Sequence, residues 1–206
     1  MNATVSALGS ILDVNFYPFG NAYWPQSDMV SGLKGVYDHD ERVAWQLKCG
    51  GDEVPSECYE GELLCQHGPN ECLVNAVEAC VLQMYPDPQI YIPFAACAEM
   101  SFPESEPCAV DVFRLDWDAI ESCATSPVQV KNMAMALGHS TAIAKPEGTP
   151  TIVVDGETIA SPELLFRAVC QAYQGDDLPE ACGKVRGTAI DFKEIEQLSK
   201  RLPMIM

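Results

Sequence analysis

A chain of 206 residues can enclose one well-formed core but is too short for a second full domain. Its 12 basic and 30 acidic residues give a formal charge of −18, which repels phosphate backbones and argues against nucleic acid as a partner. With 48% hydrophobic residues and ten cysteines, it reads as a globular protein of an oxidising compartment, neither disordered nor a reduced cytosolic chain.

Met1-Asn2-Ala3-Thr4 lacks the basic start and apolar core of a signal peptide. A disulfide-rich chain without an export signal carries the expectation that something upstream is missing. The same residues match a glycosylation acceptor. No apolar run reaches the roughly 18 residues of a membrane span, so no membrane partner is expected. Residues 1–9 read as the tail of a helix ending at Gly9. Leu12, Val14 and Phe16 alternate with Asp13, Asn15 and Tyr17, which predicts a strand over 11–17 buried on one face and ended by Pro18 and Gly20. Residues 21–64, rich in Gly, Pro, Ser and acid, read as a surface insertion pinned by Cys49 and Cys58.

Cys65 to Cys80 is the densest stretch. Gly68-Pro69 breaks what precedes, Asn70 is placed to cap, and Leu73, Val77, Cys80, Val81 and Met84 then recur along one helical face until Pro86. Cys72 and Cys80 lie about 12 Å apart on that helix, at 1.5 Å per residue. A disulfide needs Cα atoms within about 7 Å. Each must pair elsewhere, and Cys65 is open to either. A second apolar segment runs from Ile90 to Met100, Pro103 to Pro107 is a loop leading to Cys108, and Asp116 caps a helix through Cys123. Ser126-Pro127 opens another helix, to Leu137 before Gly138.

Thr151-Ile152-Val153-Val154, Asp155-Gly156 and Glu157-Thr158-Ile159 predict strand, type I′ turn and strand. Ser161-Pro162 then starts a helix with Leu164, Leu165, Ala168, Val169, Ala172 and Tyr173 on one face and Gly175 as its stop. Cys170 and Cys182, on either side of the helix end, are plausible partners. Residues 184–206 read as a helical tail.

The pattern Cys65-Gln66-His67-Gly68, Glu71-Cys72, Asn75, Cys80 resembles the signature of the gamma-interferon-inducible lysosomal thiol reductases. Tyr17 to Ala22 and Val169 to Gly175 resemble two further segments of that family. The resemblance implies an α/β, thioredoxin-like domain over 1–183. A helical, disulfide-bearing insertion at about 21–145 would also draw on Cys97, Cys108 and Cys123. It implies reduction of protein disulfides in an acidic lysosomal or secreted setting without metal or organic cofactor, on unfolded or disulfide-containing protein substrates. Thr149 and Pro150 resemble the cis-proline loop that holds substrate.

Such chemistry needs a thiolate at a helix N-terminus and a resolving thiol three residues on. No two cysteines here are three apart. The family's pair lies before the strand expected at 11–17, so that pair and the first strand are absent. The expectation is therefore an incomplete reductase without catalytic cysteines, or alternatively a redox-inactive binder of the same substrates. Without the first strand, residues 11–17 and 151–155 lose the neighbour that joins them in such a sheet. His67 reads as a turn hydrogen-bonding residue before an acid–base group, and Glu71 and Asn75 as capping and network residues. Cys65, His67 and Cys72 do not have the spacing of a common zinc module.

Overall fold

The computed structural model describes residues 1–26, 35–98 and 102–183. The chain divides into two compact units, Met1–Thr151 and Ile152–Met206. The tail expected at 184–206 and residues 99–101 lie outside the described residues.

The larger unit is helical. It runs α1 (Asn2–Leu8), α2 (His39–Cys49), α3 (Pro69–Met84), α4 (Pro88–Ala98), α5 (Phe102–Pro107), α6 (Trp117–Ala124) and α7 (Pro127–Ala144), with a π-helical segment at Cys108–Phe113. Helix α3 is the central element. Its Val77, Cys80 and Val81 enter one core with Phe94 of α4 and Ile120 of α6. Its Cys72 is packed against a second core of Phe19, Tyr23, Trp24, Trp45 and Tyr59. Fully burying one side chain of this size contributes about 1.5–3 kcal/mol.

The strand expected over 11–17 does not form. Leu12, Val14 and Phe16 do turn inward and Asp13, Asn15 and Tyr17 outward, but the segment joins no ladder. It lies along α4, where the Tyr91 hydroxyl donates to the Val14 carbonyl at 3.0 Å and Phe16 stacks on Tyr91 at 6.0 Å between ring centroids. Side-chain burial against a helix has replaced strand pairing.

The described residues of 21–64 are no surface insertion. They contain α2, capped by the Asp38 carboxylate accepting from the Asp40 and Glu41 N–H groups, and they supply most of the second core. Pro103–Pro107 is helical as part of α5, not a loop; Pro103 falls in the first turn, where proline is tolerated, and Pro107 is the last residue of the helix. Helix α3 starts two residues earlier than Asn70 as its cap would set it. Gly68, at φ 89°, precedes it and Pro69 takes the first position.

Helix α7 continues through Gly138 to Ala144. A Cβ at Gly138 would lie 2.8 Å from Phe19 Cζ and 3.1 Å from Trp24 Cζ3. That glycine marks a close helix–aromatic approach, not a stop.

In the second unit, β1 (Val153–Val154) pairs antiparallel with β2 (Glu157–Thr158), the one sheet among the described residues. Asp155 and Gly156 both have positive φ, as a type I′ turn requires. Helix α8 (Leu165–Ala172) follows, ending on an extended Tyr173, and α9 (Glu180–Gly183) comes after it. Gly175 is not the C′ residue. The Tyr173 ring lies over it and leaves no room for a side chain.

Candidate functional site

The five disulfides are Cys49–Cys58, Cys65–Cys72, Cys80–Cys123, Cys97–Cys108 and Cys170–Cys182, so all ten cysteines are paired. Cys65 takes Cys72 of its two candidate partners, and Cys80 reaches across to α6. Cys49–Cys58 ties α2 to the 3-10 turn at Ser56–Tyr59, and Cys170–Cys182 joins α8 to α9.

The signature residues form a clamp. The Cys65–Cys72 bond closes the loop that leads into α3. Within it, the His67 N–H donates to Glu71 Oε2 at 2.7 Å, and the His67 ring Nδ1 lies 2.8 Å from the same oxygen. The His67 side chain is 78% exposed, so this pair is worth about 1 kcal/mol at most. Gly68 provides the left-handed turn that lets the loop enter the helix.

Two other signature side chains reach across the fold. Asn21 Nδ2 donates to Gln66 Oε1 at 2.7 Å, and Asn75 Nδ2 donates to the Phe19 carbonyl at 3.3 Å. A Cβ at Gly20, which has φ 59°, would sit 3.3 Å from Glu71 Oε1. Tyr23 and Leu64 add a two-way backbone bridge. The segment Phe19–Tyr23 is thereby bonded along its length to the loop before α3 and to its first turns.

Around this clamp the tyrosines are held neutral. Burial pushes the Tyr23 hydroxyl up to about 12, partly offset by the Asp38 N–H that donates to it, while the Glu41 carboxylate adds to the rise. Burial also raises Tyr37, against the pull of the nearby Arg42 guanidinium.

The clamp has no nucleophile. Cys65 and Cys72 are bonded to each other, so their sulfurs are not available to a metal together with His67, and no metal-ligand cluster occurs among the described residues. Thr149 and Pro150 lie in the loop after α7, both exposed, with a cis peptide bond between them. Sequence reasoning missed α2 and its buried Arg42. The signal was present in Asp38 with Glu41 three residues on, the pattern of a capping box.

Fold and site together define a disulfide-stapled, predominantly helical protein organised by a Cys–loop–helix clamp. The family model described as Gamma interferon inducible lysosomal thiol reductase (GILT) matches residues 29–112. The gamma-interferon-responsive lysosomal thiol protein of Arabidopsis thaliana is 30% identical over 169 residues, 76% of this chain and 69% of that protein. The gamma-interferon-inducible lysosomal thiol reductases of Mus musculus and Carassius auratus are 30% and 32% identical, over 60% and 59% of this chain. These matches span about half of each animal relative, 52% and 51%. The chain belongs to the gamma-interferon-inducible lysosomal thiol reductase family.

Proposed function

We propose that this chain is the disulfide-braced body of a thiol–disulfide oxidoreductase acting on protein disulfides in an acidic lysosomal or secreted compartment. The dithiol of that reaction is not among its ten cysteines. One observation carries this reading: every cysteine of a thiol-reductase family member is in a disulfide, at separations of 9, 7, 43, 11 and 12 residues. None of these is the three-residue spacing of an exchange pair. A thiolate attacks a substrate disulfide and a second thiol releases the mixed disulfide, and the chain supplies neither.

The thioredoxin-like reading rests on the order strand, turn, strand, helix over 153–172, which supports the C-terminal half of such a fold. Thr149 and Pro150, exposed just ahead of that unit, are assigned the contact with extended substrate backbone. No helix of the described residues is long and apolar enough to cross a membrane. The lysosomal assignment follows the names of the relatives.

The same complete pairing favours a second reading, a redox-inactive protein that binds unfolded, disulfide-containing chains. Incubating the protein with a disulfide substrate and a small dithiol at acidic pH separates the possibilities. The proposal expects no turnover above that of the dithiol alone. Turnover abolished by prior alkylation would overturn it. Stable substrate binding without turnover would favour the second reading.

A further inference from the structure

Lys145 to Gly148 separate the end of α7 from the Thr149–Pro150 loop, and neither the clamp nor any disulfide holds them. Lys145, Glu147, Thr149, Pro150 and Thr151 are all exposed. A Cβ added at Gly148 would meet nothing within 4 Å, so the backbone is open on that side. Among the described residues, no backbone N–H from Glu147 to Thr151 donates to a backbone carbonyl. The Thr151 hydroxyl donates to the Gly148 carbonyl, a bond inside the segment that ties it to nothing else. The exposed turn at Glu60–Glu62 lacks this freedom. There the Glu60 N–H donates to the Glu57 carbonyl at 3.2 Å, and Leu64 exchanges both its backbone bonds with Tyr23.

The disulfides make the same segment a seam in the chain. Four of them lie between Cys49 and Cys123 and the fifth joins Cys170 to Cys182, so none spans residues 124–169. The boundary between the two compact units, after Thr151, falls inside that stretch. One cut ahead of β1 therefore leaves no covalent bond between the two pieces. A cut after Glu53 or Glu104, inside a disulfide loop, leaves its ends joined.

Exposed loops of small and polar residues are where proteolytic nicking concentrates. The bonds entering Pro146 and Pro150 have no N–H with which an endopeptidase could pair. The three bonds from Pro146 to Thr149 remain, with Glu147 the charged side chain among them and Gly148 the least encumbered residue.

We propose that the Glu147–Gly148 bond is a processing site for an endopeptidase that takes an extended chain with a carboxylate ahead of the cut. Water adds across the bond, leaving a carboxylate on Glu147 and an amine on Gly148, and no cysteine changes oxidation state. The larger piece, 1–147, keeps four disulfides and the clamp, and the smaller keeps Cys170–Cys182 together with Thr149 and Pro150. The site does not depend on the thiol chemistry or on the role assigned to Pro150.

Brief digestion of the full chain with a glutamate-specific endopeptidase, read by intact mass in denaturant without reduction, tests this. The first cut within residues 1–183 is expected after Glu147, giving two unlinked species; shortening beyond residue 183 alters only the mass of the smaller one. Glu147→Gln, at an exposed position, is expected to slow that separation about tenfold or more. A first cut elsewhere in 1–183, no cut, two pieces that stay linked, or equal digestion of Glu147→Gln would overturn the proposal.

Discussion

Asn75 donates its side-chain amide to the carbonyl of Phe19, 56 residues earlier in the chain, at 3.3 Å. This bond fixes the second turn of α3 to the segment that opens the second core, and it leaves the Asn75 side chain engaged in structure. Asn75→Ala removes one of the two bonds to that carbonyl, which the Ala22 N–H still reaches at 3.2 Å. The expected loss is about 0.5–1.5 kcal/mol of unfolding free energy, read from urea denaturation. An unchanged midpoint would show that water takes the bond over without cost.

Gly138→Ala sets two effects against each other. Alanine is favoured over glycine inside a helix by about 1 kcal/mol. The new methyl would meet Phe19 at 2.8 Å and Trp24 at 3.1 Å, and overpacking of this kind costs about 1–3 kcal/mol. Both rings are buried and stack on each other, so they have little room to retreat. The melting temperature is therefore expected to fall. A rise would mean that the rings shift and helix propensity prevails.

Alkaline pH should weaken the fold through its tyrosines. Tyr23 is fully buried with a folded pKa of about 12, against an ordinary value of 10.0. Above the ordinary value the unfolded chain gives up its proton while the folded one keeps it, so the unfolded state gains. Stability should be insensitive to this group below about pH 10 and fall between about pH 10 and 12. Burial raises Tyr59 and Tyr91 in the same direction. A spectrophotometric titration of tyrosinate should show a late-titrating fraction that Tyr23→Phe reduces. Titration of every tyrosine at the ordinary value would contradict this.

The disulfides should differ in what they contribute. Cys80–Cys123 closes 43 residues and Cys65–Cys72 closes seven. Loop-closure entropy assigns about 4 kcal/mol to the first and about 2.5 kcal/mol to the second. Cys80→Ala/Cys123→Ala should therefore destabilise the protein more than Cys65→Ala/Cys72→Ala in thermal melts. The reverse order would show that the clamp, not chain entropy, governs the cost.

Local chemistry was the part most legible in the sequence. Asp155-Gly156 specifies its turn through positive φ, and Asp116 caps α6 by accepting from the Ala119 N–H. What a periodic pattern leaves open is the partner. Leu12, Val14 and Phe16 alternate because one side of the segment is buried, and a helix buries it as well as a neighbouring strand would. Gly138 is ambiguous in the same way, since a stop and a close approach both call for the smallest residue. The clamp was legible as a pattern but not as a geometry: the contacts from Gln66 to Asn21 and from Asn75 to Phe19 span 45 and 56 residues. The core role of residues 21–64 was obscured by their polar composition, although Asp38 and Glu41 announced α2.

The account turns on all ten sulfurs being committed to bracing the fold. Intact mass after alkylation in denaturant, with and without prior reduction, counts them directly. No label before reduction and ten labels after it is the result expected here. A pair of thiols labelled before reduction would contradict the account and would name the residues able to exchange.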